Sequence, residues 1–313
     1  MMPWIDPRST AEPPHGDLED MEAAILRTLA YADVFDFAMR EPELHRYLIG
    51  RAATQRQVGE ALAAMQGRVV RRDGSVALAG RASLMDLRHE RRRIAARTWP
   101  VALRYARAVG GLPFVRMVAV TGALAVGNAT EGADIDLFVV TAPGRLWLAR
   151  AATIAVVRFA AHEGMELCPN YFLAKDVLTT DSRDLYDAHE LAQMVPVVGR
   201  AVYRRLRDAN AWTSERLPNA VGPPYGGRAA RPAALRRARP LTERLLRSPV
   251  GDAAETWERR KIERFRAEAA AREATQEARF GPDRCKGHLD GHAARIRSAY
   301  EARARSLGVE PLW

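Results

Sequence analysis

Cysteine is nearly absent: Cys168 and Cys285 are the two thiols in 313 residues. Without a Cys-x-x-Cys pair they exclude a disulfide framework, and they fit a reducing, cytoplasmic setting. Lysine is scarce too, so arginine supplies nearly all of the 48 basic residues. No long apolar run occurs. The most apolar helical stretch, 151–161, is short and is interrupted by Arg158, which excludes a membrane span there. The first 16 residues are proline-rich and lack an apolar core, so they do not read as a signal peptide. Acids are in deficit, 38 against 48 bases, for a net charge of +10. Arginine forks suit phosphate, so a nucleotide or nucleic-acid partner is one reading. The competing reading is an arginine- and alanine-rich composition whose charges sit on solvated helix faces.

What is present centres on residues 118–140. Val118 to Val120 is an apolar run broken by Thr121-Gly122, where the backbone can turn sharply. A short helix and a second strand follow, and that strand carries Asp134 and Asp136 ahead of an apolar run to Val140. On a strand, side chains two apart share a face, so the two carboxylates project together. Like charges held that close repel, and a cation between them is the natural relief. Hard oxygen donors favour Mg²⁺ or Mn²⁺. The competing reading is a solvated acidic decoration beside an ordinary Thr-Gly turn.

The ordered set of apolar strand, glycine turn, Gly127 and a carboxylate pair in an apolar strand resembles the active-site motif of the polymerase β-like nucleotidyltransferase superfamily. The resemblance implies that Asp134 and Asp136 hold divalent metal and that Gly122 packs against a triphosphate. The family's serine after the glycine is Ala123 here, so Asn128 or Thr130 would have to supply the missing donor. In the family a third acid stands on a third strand, read here as 165–173. Glu166 and Asn170 are the candidates by period-two counting, with Pro169 expected to introduce a bulge. Glu166 would be the catalytic base, and its competing reading is an exposed strand-end acid. Asn170 could ligate metal through its carbonyl but cannot act as a base. An Asn-Tyr-Phe strand, a His-Glu-Leu helix and an Asn-x-Trp turn are similar to an uncharacterised bacterial branch of that superfamily.

Around this motif the expected fold class is α+β: a nucleotidyltransferase-type mixed sheet flanked by helices. Residues 1–17 read as a loose tail. Residues 18–83 read as a winged-helix-like module, three helices and then a hairpin turning at Asp73-Gly74, with Thr54 capping the third helix. Such modules bind DNA through that third helix, or serve as packing modules. Residues 84–221 hold a long leading helix and the nucleotidyltransferase domain, in which 181–195 reads as a helix and the stretch from Pro196 to Asn219 as helix and loop. Arg91 to Arg93 on the leading helix could reach phosphate or simply face water. Residues 222–240 read as a linker. Residues 241–313 read as a helical region whose seam of Trp257, Ile262 and Phe265 packs on the body or forms a homodimer. Cys285, His288, Asp290 and His292 invite a zinc reading, against a capped turn. Lys286 and His288 could instead touch a substrate phosphate. His189 could orient a ligand or be a satisfied interior histidine.

The expected function is metal-dependent transfer of a nucleoside monophosphate from an NTP to an acceptor, with release of pyrophosphate. The acceptor could be a small hydroxyl compound, a protein side chain or a nucleic-acid end. A second reading keeps the fold but not the chemistry: a catalytically reduced protein that binds nucleotide or nucleic acid as a regulator.

Overall fold

The computed structural model describes residues 15–224, 239–270, 279–286 and 292–313. Helices and two sheets make a mixed α+β architecture. The first sheet belongs to the N-terminal part. Its order of elements is α1 (His15–Asp33), β1 (Met39–Arg40), α2 (Glu41–Arg46), α3 (Gln55–Ala64), β2 (Val69–Arg72) and β3 (Ser75–Leu78). The strands lie in the order β1-β3-β2, all antiparallel. Two local signals act as expected. The Thr54 hydroxyl accepts from the Gln57 N–H at 3.2 Å at the start of α3. Asp73 and Gly74 both take positive φ, 52° and 69°, which matches a hairpin turn to the twist of its strands.

Helix α4 (Ser83–Gly111) joins this part to the main sheet. The main sheet has the order β7-β4-β5-β6-β9-β8. Its strands are β4 (Val115–Val120), β5 (Ile135–Thr141), β6 (Leu167–Ala174), β7 (Val195–Val198), β8 (Arg279–Phe280) and β9 (Arg284–Lys286). Only the β5–β6 pairing is parallel. Helix α6 (Leu146–His162) makes the crossover between those two strands.

Period two sorts β5 onto two cores. Ile135, Leu137 and Val139 pack with Trp99, Tyr105 and Trp147 under α4 and α6. Phe138 and Val140 pack on the opposite face with Leu191, Tyr203 and Leu206. Those residues come from α7 (Leu185–Gln193) and α8 (Arg200–Ala209), which the short α9 (Thr213–Arg216) follows. Asp136 has the parity of Phe138 and so faces the α7 side. A third core joins α1, α2 and α3 to α7 and to α12 (His292–Ser306), with Tyr31, Ala188 and Tyr300 buried in it. The N-terminal part is thereby seated on the α7 side of the main sheet.

Several expectations are corrected. Pro196 lies in strand β7 rather than in a helix or loop. That strand is an edge, where a missing N–H is tolerated. The 241–313 region is not purely helical, because β8 and β9 extend the sheet beside β6. Its long helix is two, α10 (Arg239–Leu246) and α11 (Pro249–Ala270). Helix α1 starts at His15, inside the segment read as a tail, and α10 starts at Arg239, inside the linker. Side chains of the C-terminal part pin the body. The Glu255 carboxylate accepts from the Trp147 and Leu148 N–H groups, both at 2.8 Å, and so caps α6. Glu243 accepts from Phe114 N–H and from the Arg116 fork at 2.8 Å. Ile262 packs on the core beneath α6, while Trp257 is 62% exposed; the Phe265 side chain lies outside the described residues.

Candidate active site

Strands β4 and β5 deliver the motif. The turn after β4 enters α5 (Gly122–Ala125), and the Thr121 N–H donates to the Asp136 carbonyl at 3.1 Å. Gly122 has φ +65°, and a Cβ there would lie 2.1 Å from Asp136 Oδ2. Glycine is therefore required twice over at this position, for its backbone conformation and for the carboxylate against it. Asp134, exposed, is the residue before β5 rather than part of it, and Asp136, half-buried, is the second residue of the strand.

Across the parallel pair, Asp136 stands opposite Cys168. The register then slips, so that Phe138 stands opposite Tyr171. One extra residue on β6 at Pro169 is the expected bulge. It lets Cys168 and Asn170 both face Asp136. Asn170 Nδ2 donates to Asp136 Oδ1 at 3.1 Å, and ligand atoms of Asp134, Asp136 and Cys168 lie within 4.8 Å of one another. Among the described residues this is the one group of acid, thiol or imidazole donors with metal-ligand spacing.

The electrostatics mark the same place. Burial, then Asp134, then Glu190 push the Asp136 carboxyl up to about 8, against the hydrogen bond from Asn170. Burial and the two aspartates push the Cys168 thiol up to about 12. A hard divalent ion prefers oxygen to sulfur, so the donors in this group that fit Mg²⁺ or Mn²⁺ are the two carboxylates. Their mutual repulsion in a partly buried setting is what a divalent ion would relieve.

A cavity of about 330 Å³ opens beside these carboxylates. Gly122, Ala123, Asp134, Asp136 and Asn170 form one side of it; α1, α7 and the turn after α1 form the others. His189, read as a ligand-orienting or interior group, is both buried and on the wall. Its Nδ1–H donates to the Leu185 carbonyl at 2.9 Å, and its ring stacks on Tyr31 at 4.0 Å. Burial pushes it down to about 4, so it is neutral.

Several other candidates stand elsewhere. Glu166 is exposed and lies outside the cavity wall, its backbone carbonyl accepting from the Ile135 N–H at 2.9 Å. Asn128 lines the cavity but is committed to scaffolding: Nδ2 donates to the Phe35 carbonyl at 3.0 Å and Oδ1 accepts from Arg91 at 3.2 Å. Arg91 also donates to the Phe35 and Asp36 carbonyls, so it holds the turn after α1 rather than a phosphate. Thr130 is exposed in the loop before β5. Cys285 is buried on β9, opposite Phe172. His288 and Asp290 lie outside the described residues. Lys286 donates to Asp187 at 3.1 Å, and His292 reaches the cavity.

Two residues of the site were missed from sequence. Cys168 shares parity with Glu166 and Asn170 and could have been found by the same counting. Glu190 lines the cavity from α7, and burial, with Asp187 adding, pushes its carboxyl up to about 7. Nothing local points to Glu190, because its place depends on how α7 lies on the sheet. Compared with known proteins, the chain matches no protein-family model, no curated sequence and no solved structure.

Proposed function

We propose that the chain is a metal-dependent nucleotidyltransferase that moves a nucleoside monophosphate from an NTP to an acceptor and releases pyrophosphate. One observation carries the reading: the turn glycine Gly122 lies directly on the carboxylate of Asp136, beside Asp134, at the rim of a ligand-sized cavity. Asp134 and Asp136 would hold the Mg²⁺ or Mn²⁺. That ion, when bound, neutralises phosphate charge and sharpens the attacking oxygen. Gly122 and Ala123, having no bulky side chains, leave the backbone of the turn open to a phosphate. The acceptor oxygen forms a bond to the α-phosphorus while the bond from that phosphorus to the bridging oxygen breaks. Pyrophosphate leaves with the bonding pair, and the acceptor proton passes to a base.

The test is pyrophosphate release from ATP, GTP, CTP or UTP with Mg²⁺ or Mn²⁺ across a panel of acceptors. Asp134→Ala with Asp136→Ala should abolish it. Equal release by wild type and double variant would sink the reading.

One observation favours the second reading, in which nucleotide is bound without turnover. The β6 residue bonded to Asp136 is an amide, Asn170, which cannot take a proton. Calorimetry showing nucleotide binding with no turnover on any acceptor would select it.

We also read residues 18–83 as a winged-helix module, on the strength of its element order and the sheet order β1-β3-β2. Its hairpin arginines are engaged: Arg68 with Glu22 at 3.7 Å, Arg71 with Glu41 at 2.6 Å and Arg72 with Asp86 at 2.5 Å. A packing role is therefore better supported than DNA reading.

A further inference from the structure

The cavity beside the carboxylates is lined by aromatic rings, three acids and aliphatic and amide side chains; apart from the buried His189, His292 is the one basic side chain among the described residues that line it, and no lysine or arginine is. In a chain of net charge +10 that is a departure. Tyr31, Phe35, Phe37 and Tyr186 contribute ring faces or edges, and the neutral His189 ring joins them. Glu190 stands in the same wall, partly buried, and among the described residues no donor is bonded to its carboxylate. Lys286, the cation that acts on it, is spent on Asp187 at 3.1 Å. Aromatic faces attract cations, and the attraction grows as water is removed. A partly buried, unpaired carboxylate is costly, and an ammonium group beside it would offset that cost. An anionic acceptor, away from the metal-held phosphates, would instead meet Glu190 with no lysine or arginine in the described wall to offset it. The size, about 330 Å³, suits a small molecule.

We propose that this cavity binds a small aromatic amino alcohol as its cation, with the ring packed on Tyr31, Phe35 and Phe37, the ammonium directed at Glu190, and the hydroxyl serving as the acceptor. The binding claim stands on the cavity alone; the acceptor claim rests on the transfer reading above. In that step the hydroxyl oxygen bonds to the α-phosphorus, pyrophosphate leaves, and the hydroxyl proton passes to solvent buffer. A nucleic-acid end is disfavoured as acceptor by Glu190 and by a described wall without lysine or arginine, and that pattern selects a cationic nitrogen over a neutral or anionic group.

The experiment compares three near-isosteric probes by calorimetry on the full chain, without NTP or metal: 2-amino-1-phenylethanol (cation), 1-phenylethane-1,2-diol (neutral) and mandelate (anion). The amine should bind about tenfold or more tightly than the other two, a difference of ~1.4 kcal/mol. Glu190→Gln should bring the amine to the level of the diol, with circular dichroism confirming the fold. Phe35→Ala should weaken amine and diol by the same factor, and it stands in if Glu190→Gln fails to fold. Equal binding of amine and diol, or no saturable binding of the amine, overturns the proposal. Amine binding without pyrophosphate release on adding NTP and Mg²⁺ leaves the cavity assignment intact and counts against the transfer reading. Release supported by oligonucleotide ends and not by the amine overturns the cavity assignment and spares the transfer.

Discussion

In the N-terminal part each buried acid meets an arginine, whereas beside the start of β5 three acids line one cavity. Glu43 accepts from Arg88 at 2.7 and 2.9 Å in the buried seam between α2 and α4, and Arg88 also donates to the Ala38 carbonyl at 2.6 Å. Asp33 is held by Arg81 at 2.6 Å and by Arg303 of α12 at 2.7 Å. Asp134, Asp136 and Glu190 have no such partner among the described residues, in a chain where arginine is abundant. The first arrangement fastens elements together. The second leaves charge unsatisfied at a cavity, a cost that folding alone gives no reason to carry.

Crossed readouts would break or sharpen this contrast. The largest effects are expected from the two centres. Asp134→Ala with Asp136→Ala should lower metal-dependent pyrophosphate release by roughly 10³-fold or more, since metal-held charge is worth several kcal/mol. Its melting temperature should hold or rise, because a half-buried acid and the exposed like charge beside it are removed. Arg88→Ala should do the reverse, costing up to about 3–5 kcal/mol in denaturant unfolding, because Glu43 would lose its closest buried cation and fall back on Arg40, 3.5 Å away. If Arg88→Ala melted like wild type, or the aspartate variant unfolded, the contrast would fail.

Next comes acid stability. Despite a burial cost, the Arg116 and Arg239 hydrogen bonds and the Phe114 N–H hold the Glu243 carboxyl down to about 2. A depressed folded pKa means that the unfolded chain binds the proton first. The stabilisation is thus present above about pH 4.5 and is lost as pH falls toward 2. It amounts to at most ~3 kcal/mol, and Glu243→Gln should flatten that part of the stability–pH curve. Gly122→Ala follows, with a strain of about 1–3 kcal/mol at positive φ; it should impair release more than folding, because the added Cβ meets the Asp136 carboxylate. The smallest effect is expected at the exposed Arg56–Glu60 pair, 3.7 Å apart on α3. Arg56→Ala should stay within about 0.5 kcal/mol.

Where nearest neighbours and period two settle the outcome, the chain could be read directly. The close spacing of Asp134 and Asp136, the bulge at Pro169, the Thr54 cap and the Asp73-Gly74 turn are of this kind. Pro196 misled the reading because proline disfavours a central strand, while the edge position of β7 becomes visible only when the sheet is assembled. Strands β8 and β9 are two and three residues long, too short to carry a periodic signal. Arg91 and Asn128 looked free for phosphate in sequence, and in space they hold each other and the turn after α1.

By itself, then, the amino-acid order determined the closely spaced carboxylate pair and the glycine turn ahead of it, because each follows from neighbours along a strand or within a tight turn. Tertiary structure alone decided that Glu190 would join them, that Cys168 would stand across from Asp136, and that rings from α1 and α7 would wall a cavity with no lysine or arginine among its described residues. The physical reason is range. Strand alternation and turn geometry act over a few residues, whereas the placing of α1 and α7 over the end of β5 depends on burying apolar surface from segments more than a hundred residues apart.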